Sequence, residues 1–353
     1  MRIHRLTWSI LIVALLALSA AGQQPVPKPP TYPAINPALA RPDGSAGGLD
    51  GPGFGVAWNE DLGLLVASCE NQAICYWRKD VALGVRTSDT SASVVTGGHQ
   101  GPVTALVAVG EAFASGGYDG KVVIWSLPAE KILYTLTVGG HVRALAAAPD
   151  GKTLASVGDD GVVQIWDVAA GKAGSKLTGA GDWLLSVAFS PDGKTIAAGA
   201  INGNWHLWDV ATGKKTLTVP AVTPPVPNQP PPTPAAVAAL AFSPDGKTLA
   251  AGGTDGQIYL FNVADGKFIR VLTGHTSGVT GVAFHPTGTL LVSSSKDRTV
   301  RLWTPATGAL IKALEGHSAW VESVTFIAHG TRLATASADQ TVRLWDLTDP
   351  MKK

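Results

Sequence analysis

The stretch Lys296–Trp303 reads KDRTVRLW, and the same pattern returns at residues 338–346 as ADQTVRLWD. In the first stretch, Asp297 lies six residues before Trp303, with a strand-like run of alternating polar and apolar residues between them. A chain that repeats a phrase this closely usually repeats a structural unit, so the number and spacing of the repeats decide the fold.

Strand-like runs that end in a large aromatic residue recur along the whole chain, roughly every 40–50 residues. These aromatic residues are Trp77, Trp125, Trp166, Trp208, Phe261, Trp303 and Trp345. Each unit has an apolar run such as VTGVAF (279–284), a turn such as SPDGK (190–194), a second run such as TLAAGG (248–253), and a third run after a tight turn with Asp or Asn. Alternation bounded by Gly, Pro and Asp indicates four short strands per unit.

Seven such units predict an all-β fold, a seven-bladed β-propeller of four-stranded blades over residues 50–350. A four-stranded sheet alone leaves both faces exposed, whereas radial stacking covers each sheet with its neighbours. Two intervals are longer than the others. One contains the insertion PAVTPPVPNQPPPTP (220–234), which has too many prolines to pair in a sheet, and the other contains the polar stretch 86–95.

The units resemble the WD-repeat β-propeller family, here in an exported, bacterial-type form. The resemblance rests on WDV at 166–168 and 208–210, WDL at 345–347, and Gly-His pairs at 98–99, 274–275 and 316–317. It covers about residues 50–347. In this family, a His on the loop leading into the blade, a Ser or Thr on the second strand, the turn Asp and the Trp form a buried hydrogen-bond chain, called a tetrad below.

Three repeats match the tetrad at every position, and the resemblance implies a structural role for it. The matching residues are His99, Ser115, Asp119 and Trp125; His275, Ser293, Asp297 and Trp303; and His317, Thr335, Asp339 and Trp345. Ser, His and Asp also form catalytic triads, so a catalytic role is the alternative interpretation. A nucleophilic triad is a single site, whereas this set occurs three times, each time with a Trp.

The other repeats lose several tetrad residues together, which fits a network that is either complete or absent. The replacements are Ala180, Ala198 and Asn202 in repeat four, Ala251 and Phe261 in repeat five, and Ala67 and Asn71 in repeat one. Repeat three keeps Ser156, Asp160 and Trp166, but His141 directly precedes Val142. Its lead-in loop is about three residues short, so we expect His141 not to join a tetrad.

Residues 1–21 have the layout of a signal peptide, with Arg2 and Arg5 before an apolar run and small residues before a cut after Ala21. An uncleaved anchor is the alternative, although the apolar run is short for a membrane span, and no other segment could span a membrane. We expect a periplasmic or extracellular protein. Residues 22–49 form a Pro-rich leader. Since the last repeat completes only three strands, part of residues 31–48 is expected to pair with the strand containing Leu344 and Trp345.

The composition argues against several kinds of chemistry. The net charge of +1 and the low fraction of charged residues, 15%, give no sign of a nucleic-acid partner. No phosphate-binding loop, metal-ligand spacing or catalytic centre is found, so no cofactor, metal or enzymatic activity is predicted. Cys69 and Cys75 lie nearly opposite each other across the repeat-one turn. They form either a disulfide or two buried thiols.

Six residues are predicted to lie on the propeller face that carries the lead-in loops and the Asp turns. They are Trp183, Trp320, Glu322, Arg143, Tyr118 and Lys296. Exposed tryptophans among charged residues are typical of a binding hot spot, although packing between blades is the alternative. The insertion 220–234 enters the same face, either as a stiff ligand or as a tolerated loop.

The main functional hypothesis is therefore a non-enzymatic scaffold that binds a protein or peptide through this face. A binder of a small ligand or of cell-wall carbohydrate, using Trp183 and Trp320, is an alternative. A propeller hydrolase or lyase with a site in its channel is a further alternative, which clustered acids at the starts of the inner strands would favour. The partner and the oligomeric state stay open.

Overall fold

The structure, a computed structural model, describes residues 55–68, 72–78, 92–220 and 235–348, together with the backbone of Ser9–Ile10 and 41–48. Apart from these segments, the signal segment, the leader, Cys69 and the insertion from residue 221 to 234 lie outside the described residues. The regular structure described is β-strand, with short 3-10 turns at Leu127–Ala129 and Ala328–Gly330.

The strands form seven antiparallel sheets, which confirms the seven-bladed propeller of four-stranded blades. From the inner to the outer strand, blade 1 consists of β1 (Ser9–Ile10), β3 (Gly55–Asn59), β4 (Leu64–Ser68), β5 (Ile74–Arg78) and β6 (Ser93–Val95). Blade 2 consists of β7 (Val103–Val109), β8 (Ala112–Gly117), β9 (Lys121–Ser126) and β10 (Lys131–Thr137). Blade 3 consists of β11 (Val142–Ala147), β12 (Thr153–Gly158), β13 (Val163–Asp167) and β14 (Lys172–Leu177).

Blades 4 to 7 follow the same order. Blade 4 consists of β15 (Leu184–Phe189), β16 (Thr195–Ala200), β17 (Trp205–Asp209) and β18 (Lys215–Val219), and blade 5 of β19 (Val237–Phe242), β20 (Thr248–Gly253), β21 (Ile258–Asn262) and β22 (Phe268–Leu272). Blade 6 consists of β23 (Val279–Phe284), β24 (Leu291–Ser295), β25 (Val300–Thr304) and β26 (Ala309–Leu314). Blade 7 consists of β27 (Val321–Ile327), β28 (Arg332–Ser337), β29 (Thr341–Asp346) and β2 (Arg41–Gly48).

The blades pack face to face because their second strands carry very small residues. A Cβ atom built on Gly116 of blade 2 would lie 2.4 Å from the Val142 side chain of blade 3. The same substitution at Gly252 of blade 5 would place Cβ 2.6 Å from Val279 of blade 6. Since real Cβ atoms do not approach other atoms this closely, these glycines set the spacing between blades.

The ring closes by strand pairing between the two ends of the chain. β2 pairs antiparallel with β29, so that Arg41 lies opposite Asp346 and Ser45 opposite Arg343. Pro42 lies opposite Trp345, and the register shifts on both sides of Gly44 and Ser45. Pro is tolerated here because β2 is an outermost strand, whose other edge needs no partner. The last blade thus takes its fourth strand from the N-terminal part of the chain.

Blade 1 has an additional strand on its inner edge. β1 pairs with β3, with Ser9 opposite Asn59 and Ile10 opposite Trp58. The other described blades each have four strands, so β1 is an addition to the regular blade.

Candidate functional site

In blades 2, 6 and 7 the four tetrad side chains form continuous chains of hydrogen bonds. In blade 6, the Trp303 indole Nε1–H donates to Ser293 Oγ at 2.8 Å, and His275 Nε2 lies 2.8 Å from the same hydroxyl. His275 Nδ1 lies 2.7 Å from Asp297 Oδ2. The corresponding indole bonds are 2.7 Å from Trp125 to Ser115 and 3.0 Å from Trp345 to Thr335.

The Asp of each tetrad also holds the turn and the lead-in loop. Asp297 accepts hydrogen bonds from the backbone N–H of Thr276, at 3.1 Å, and of Thr299, at 2.9 Å. The Thr299 hydroxyl donates to the same carboxylate at 2.7 Å. One carboxylate therefore fixes two loops that carry neighbouring parts of the same propeller face.

The ionisation of the tetrads follows from their burial and their hydrogen bonds. Burial lowers the pKa of His275 and His317 below its usual value, although the neighbouring carboxylates oppose the shift. Burial alone would raise the pKa of Asp339, but hydrogen bonds from Thr341, Ser318 and His317 outweigh it and lower the pKa to about 2. At neutral pH, a neutral histidine therefore donates to an ionised aspartate.

Blades 3 and 4 satisfy their Trp residues differently. In blade 3, Trp166 Nε1–H still donates to Ser156 Oγ at 2.9 Å, but His141 lies elsewhere, so this blade contains half of the network. In blade 4, where Ala198 replaces the hydroxyl residue, Trp208 Nε1–H donates to the Thr178 carbonyl at 2.9 Å. Blade 3 is therefore the exception that its short lead-in loop predicts, because it keeps the bond from Trp166 to Ser156 without a tetrad histidine.

Three blades contribute to one aromatic and charged cluster on the face that carries the lead-in loops. Arg143 of blade 3 donates from Nε to Asp159 Oδ1 at 2.7 Å and from a terminal nitrogen to Asp159 Oδ2 at 3.2 Å. Its other terminal nitrogen donates to the Tyr118 hydroxyl of blade 2 at 3.0 Å. The guanidinium carbon lies 5.9 Å from the centre of the Trp183 ring of blade 4. We call these residues, with His141, the Arg143 cluster.

The Arg143 cluster is held rigidly. The hydrogen bond between Arg143 and Asp159 is the main reason that the pKa of Asp159 is lowered and that of Arg143 is raised. A bidentate pair of this kind fixes the plane of the guanidinium group. His141 stacks on Tyr118 with ring centres 4.9 Å apart and places Nδ1 3.0 Å from Asp159. The cluster thus presents aromatic surface around a neutralised charge pair.

A second cluster, here called the Trp320 cluster, comes from blades 6 and 7. Lys296 Nζ lies 4.6 Å from the centre of the Trp320 ring, which is within the range of a cation–π contact. Burial raises the pKa of the nearby Glu322 carboxyl, and the charge of Lys296 opposes this shift. The Trp320 carbonyl accepts a hydrogen bond from the backbone N–H of Ala338 at 2.9 Å, so the turn of blade 7 fixes the backbone that carries the indole.

Exposure separates these aromatic residues from the core tryptophans. Trp183 and Trp320 are 45% and 51% exposed, and Tyr118 is 40% exposed, whereas Trp303 is 1% exposed. The six residues predicted for this face thus lie in two clusters. His141 and Asp159 were missed by the sequence reasoning, although they lie just before the first strand and just before the turn Asp. The same two position types led to Trp183, Trp320, Tyr118 and Lys296.

The predicted cysteine pair is only partly described. Cys75 is buried on β5, opposite Ala67 of β4 and Val94 of β6, and Cys69 lies outside the described residues. Within the described ranges, no group of three or more His, Cys, Asp or Glu side chains is arranged to hold a metal ion.

Comparison with protein-family models places the chain among known propellers. Residues 142–315 match the model described as the echinoderm microtubule-associated protein second beta-propeller. Residues 91–126 and 308–346, which cover tetrad residues of blades 2 and 7, match the model of the WD domain, G-beta repeat. The chain belongs to the WD-repeat β-propeller family. No curated protein sequence matches it significantly.

WD-repeat propellers are commonly protein-interaction scaffolds and are typically not enzymes. In this member of the family, the part of the chain that the structure describes contains no helix of the length and apolar character that crossing a membrane requires. The Arg143 and Trp320 clusters occupy the face that carries the lead-in loops and the Asp turns, which we call the lead-in face. The tetrads hold the loops that form this face.

Proposed function

We propose that this WD-repeat protein is an exported, non-enzymatic scaffold that binds a partner protein or peptide through its lead-in face. The observation that carries the proposal is the exposure of Trp183 and Tyr118 beside Arg143, and of Trp320 beside Lys296 on the same face. Trp, Tyr and Arg are the residue types that dominate binding hot spots.

Rigidity supports this proposal. Side chains that are fixed before binding lose little conformational freedom when a partner arrives. Arg143 is held by Asp159 and Tyr118, and the Trp183 backbone N–H donates to Asp182 at 2.8 Å. The two clusters lie on blades 2 to 4 and 6 to 7, so a partner that contacts both would cross the face of the ring.

The proposal that the protein is not an enzyme rests on the residues near the central channel, where the first strand of each blade begins at the lead-in face. The second positions of the six described first strands from blade 2 to blade 7 are Thr104, Arg143, Leu185, Ala238, Thr280 and Glu322. Of these six residues, Glu322 alone is acidic. Hydrolysis and elimination usually require at least a pair of acid and base groups at one place.

Capture from cell-envelope extract tests the binding face. We expect the wild-type protein to retain a partner that the double variant Trp183→Ala/Trp320→Ala loses, with melting temperatures within a few degrees of each other. Ile132→Ala/Leu133→Ala, which removes two exposed apolar side chains from the outer strand β10, serves as the matched control and should retain the partner. Equal capture by all three proteins, or loss of folding in the tryptophan variant, would reject this face as the binding site.

Export is proposed from the signal-like segment and is consistent with the strand count. A cut after Ala21 would remove β1 and leave blade 1 with four strands, like the other described blades. Sequencing the N-terminus of the protein purified from its own cells should therefore give Gly22 as the first residue. Finding Met1 on a cytosolic protein would overturn this part of the proposal.

A further inference from the structure

A cleft of about 570 Å³ opens between blades 5 and 6. It is lined by the turns that join first to second strands and third to fourth strands, so it lies at the strand ends opposite the lead-in face. Leu260, Phe284 and Pro305 are buried lining residues, and Ile269 and Arg270 of β22 line one side. Apolar walls combined with a few polar and charged side chains, here including Arg270 and Asp245, are typical of a specific binding site.

Other blades fill the equivalent space with their own side chains. Tyr134 of blade 2 occupies the position equivalent to Arg270, and its hydroxyl donates to the Ala169 carbonyl of blade 3 at 3.0 Å. Leu217 of blade 4 lies against Gly266 of blade 5, where an added Cβ would be 3.0 Å from the leucine. Blades 2 and 4 therefore complete this contact internally, one with a hydrogen bond and the other with an apolar side chain.

In blade 5, Arg270 occupies this position, and one nitrogen of its guanidinium group lacks a hydrogen-bond acceptor among the described residues. Its side chain passes over Gly308, where an added Cβ would lie 3.5 Å from the arginine Cδ. Its Nε is buried, and no described residue accepts a hydrogen bond from it. Asp245 also lines the cleft, but its carboxylate is engaged by the Ser243 hydroxyl at 2.6 Å and by the Lys247 N–H at 3.0 Å. A buried guanidinium nitrogen without an acceptor is costly, and a carboxylate from outside would satisfy it in a forked geometry.

We infer that this cleft binds an extended peptide of a partner protein in which a carboxylate side chain is next to a bulky aliphatic one. The carboxylate pairs with Arg270, and the aliphatic side chain enters the hole over Phe284 and Leu260. The surroundings favour a peptide over a small acid, because exposed apolar residues flank the cleft: Ile269 is 43% exposed and Leu310, on the neighbouring outer strand, is 43% exposed. β22 is also the outermost described strand of its sheet, so one backbone edge is open to an added strand.

This site is separate from the lead-in face. If both sites are occupied, the ring links two partners, one on each side. The inference does not depend on the proposed function, because Trp183 and Trp320 lie at the opposite strand ends.

A phage-displayed library of random octapeptides, selected on the full-length protein and counter-selected on Arg270→Leu, tests the inference. Leucine is the residue that blade 4 uses at this position, so the variant should fold, and its melting temperature checks this. We expect enriched peptides to contain Asp or Glu beside Leu, Ile, Val or Met. A synthetic copy of the most enriched peptide should bind at least about tenfold more weakly to Arg270→Leu, and a copy with the amide in place of the acid should lose affinity similarly.

Two matched variants locate the effect. Lys267→Leu removes an exposed cation three residues earlier and should leave the affinity unchanged, as should Trp183→Ala/Trp320→Ala. The inference is wrong if no acidic motif is enriched, if Arg270→Leu binds the peptide as well as the wild type does, or if free glutarate displaces the peptide at equal concentration. The last result would identify a receptor for small carboxylates.

Discussion

Replacing Asp297 with alanine is expected to lower the melting temperature of the protein by about 10 °C, since each buried donor left without its acceptor costs about 1–3 kcal/mol and several donors lose the same acceptor. The carboxylate is almost fully buried, at 4% exposure. It accepts from His275, from the backbone of Thr276 and from both the backbone and the hydroxyl of Thr299. All of these donors would lose their acceptor at once. Scanning calorimetry of the two proteins measures the difference.

Asp160→Ala is the matched control for this prediction. Asp160 occupies the same turn position in blade 3, but its hydrogen bond there is to the backbone N–H of Val162, at 3.1 Å, and His141 contacts Asp159 instead. A loss of about 1 kcal/mol is expected for this single, exposed hydrogen bond. If the two variants lower the melting temperature equally, the tetrad does not stabilise the blade beyond an ordinary turn.

Deleting residues 41–48 should destabilise the ring by a similar amount. The deletion removes β2 and exposes the edge of β29, and the lost backbone hydrogen bonds contribute about 1 kcal/mol each, or about 3–5 kcal/mol in total. The larger consequence concerns the mode of unfolding. β2 ties the N-terminal part of the chain to blade 7, so without it blades 1 and 7 are held together by side-chain packing and by the contacts of His329 with Glu60. We expect a lower melting temperature and faster proteolysis at the boundary between these two blades.

Deleting residues 22–40 provides the control for ring closure, because β2 stays in the chain. This shorter protein should melt close to the wild type. A second measurement uses the register itself: Ser45 lies opposite Arg343, so Ser45→Cys/Arg343→Cys should form a cross-link, whereas Ser45→Cys/Arg301→Cys, with the second cysteine at the matching position of blade 6, should not. An unchanged melting temperature after deletion of 41–48, or no cross-link at 45–343, would contradict the closure.

Much of the architecture can be predicted from the spacing of residues within a single repeat. The tetrad needs a hydroxyl residue four positions before Asp and a Trp six positions after it, and such distances are fixed within one hairpin. The outer partner of β29, the third strand of the last repeat, was also expected from the strand count of each repeat and lies at Arg41–Gly48. Local patterns of this kind are independent of how the blades are arranged around the ring.

The contacts between blades are less accessible to sequence reasoning. Tyr118, Arg143 and Trp183 come together from three blades, and nothing in their spacing indicates that Arg143 pairs with Asp159 while contacting the other two. The spacing of His141 excludes it from a tetrad, because the lead-in loop of blade 3 is short. The same short loop places His141 against Tyr118. Likewise, the sequence alone indicates only that Arg270 is a polar residue of an outer strand. Its role emerges from comparison with the equivalent positions of other blades, where Tyr134 and Leu217 complete the contact between blades.

Hydrogen–deuterium exchange of the captured complex would locate the partner on the ring, and we expect it on the lead-in face. Binding at this face should slow exchange of the backbone amides at residues 118–120, 141–143, 182–184, 296–298 and 319–322. The turns at 148–152 and 190–194, which lie at the opposite strand ends, should exchange as in the free protein. Protection confined to those turns, or to the outer strands, with unchanged exchange around Trp183 and Trp320, would show that the partner does not bind the lead-in face.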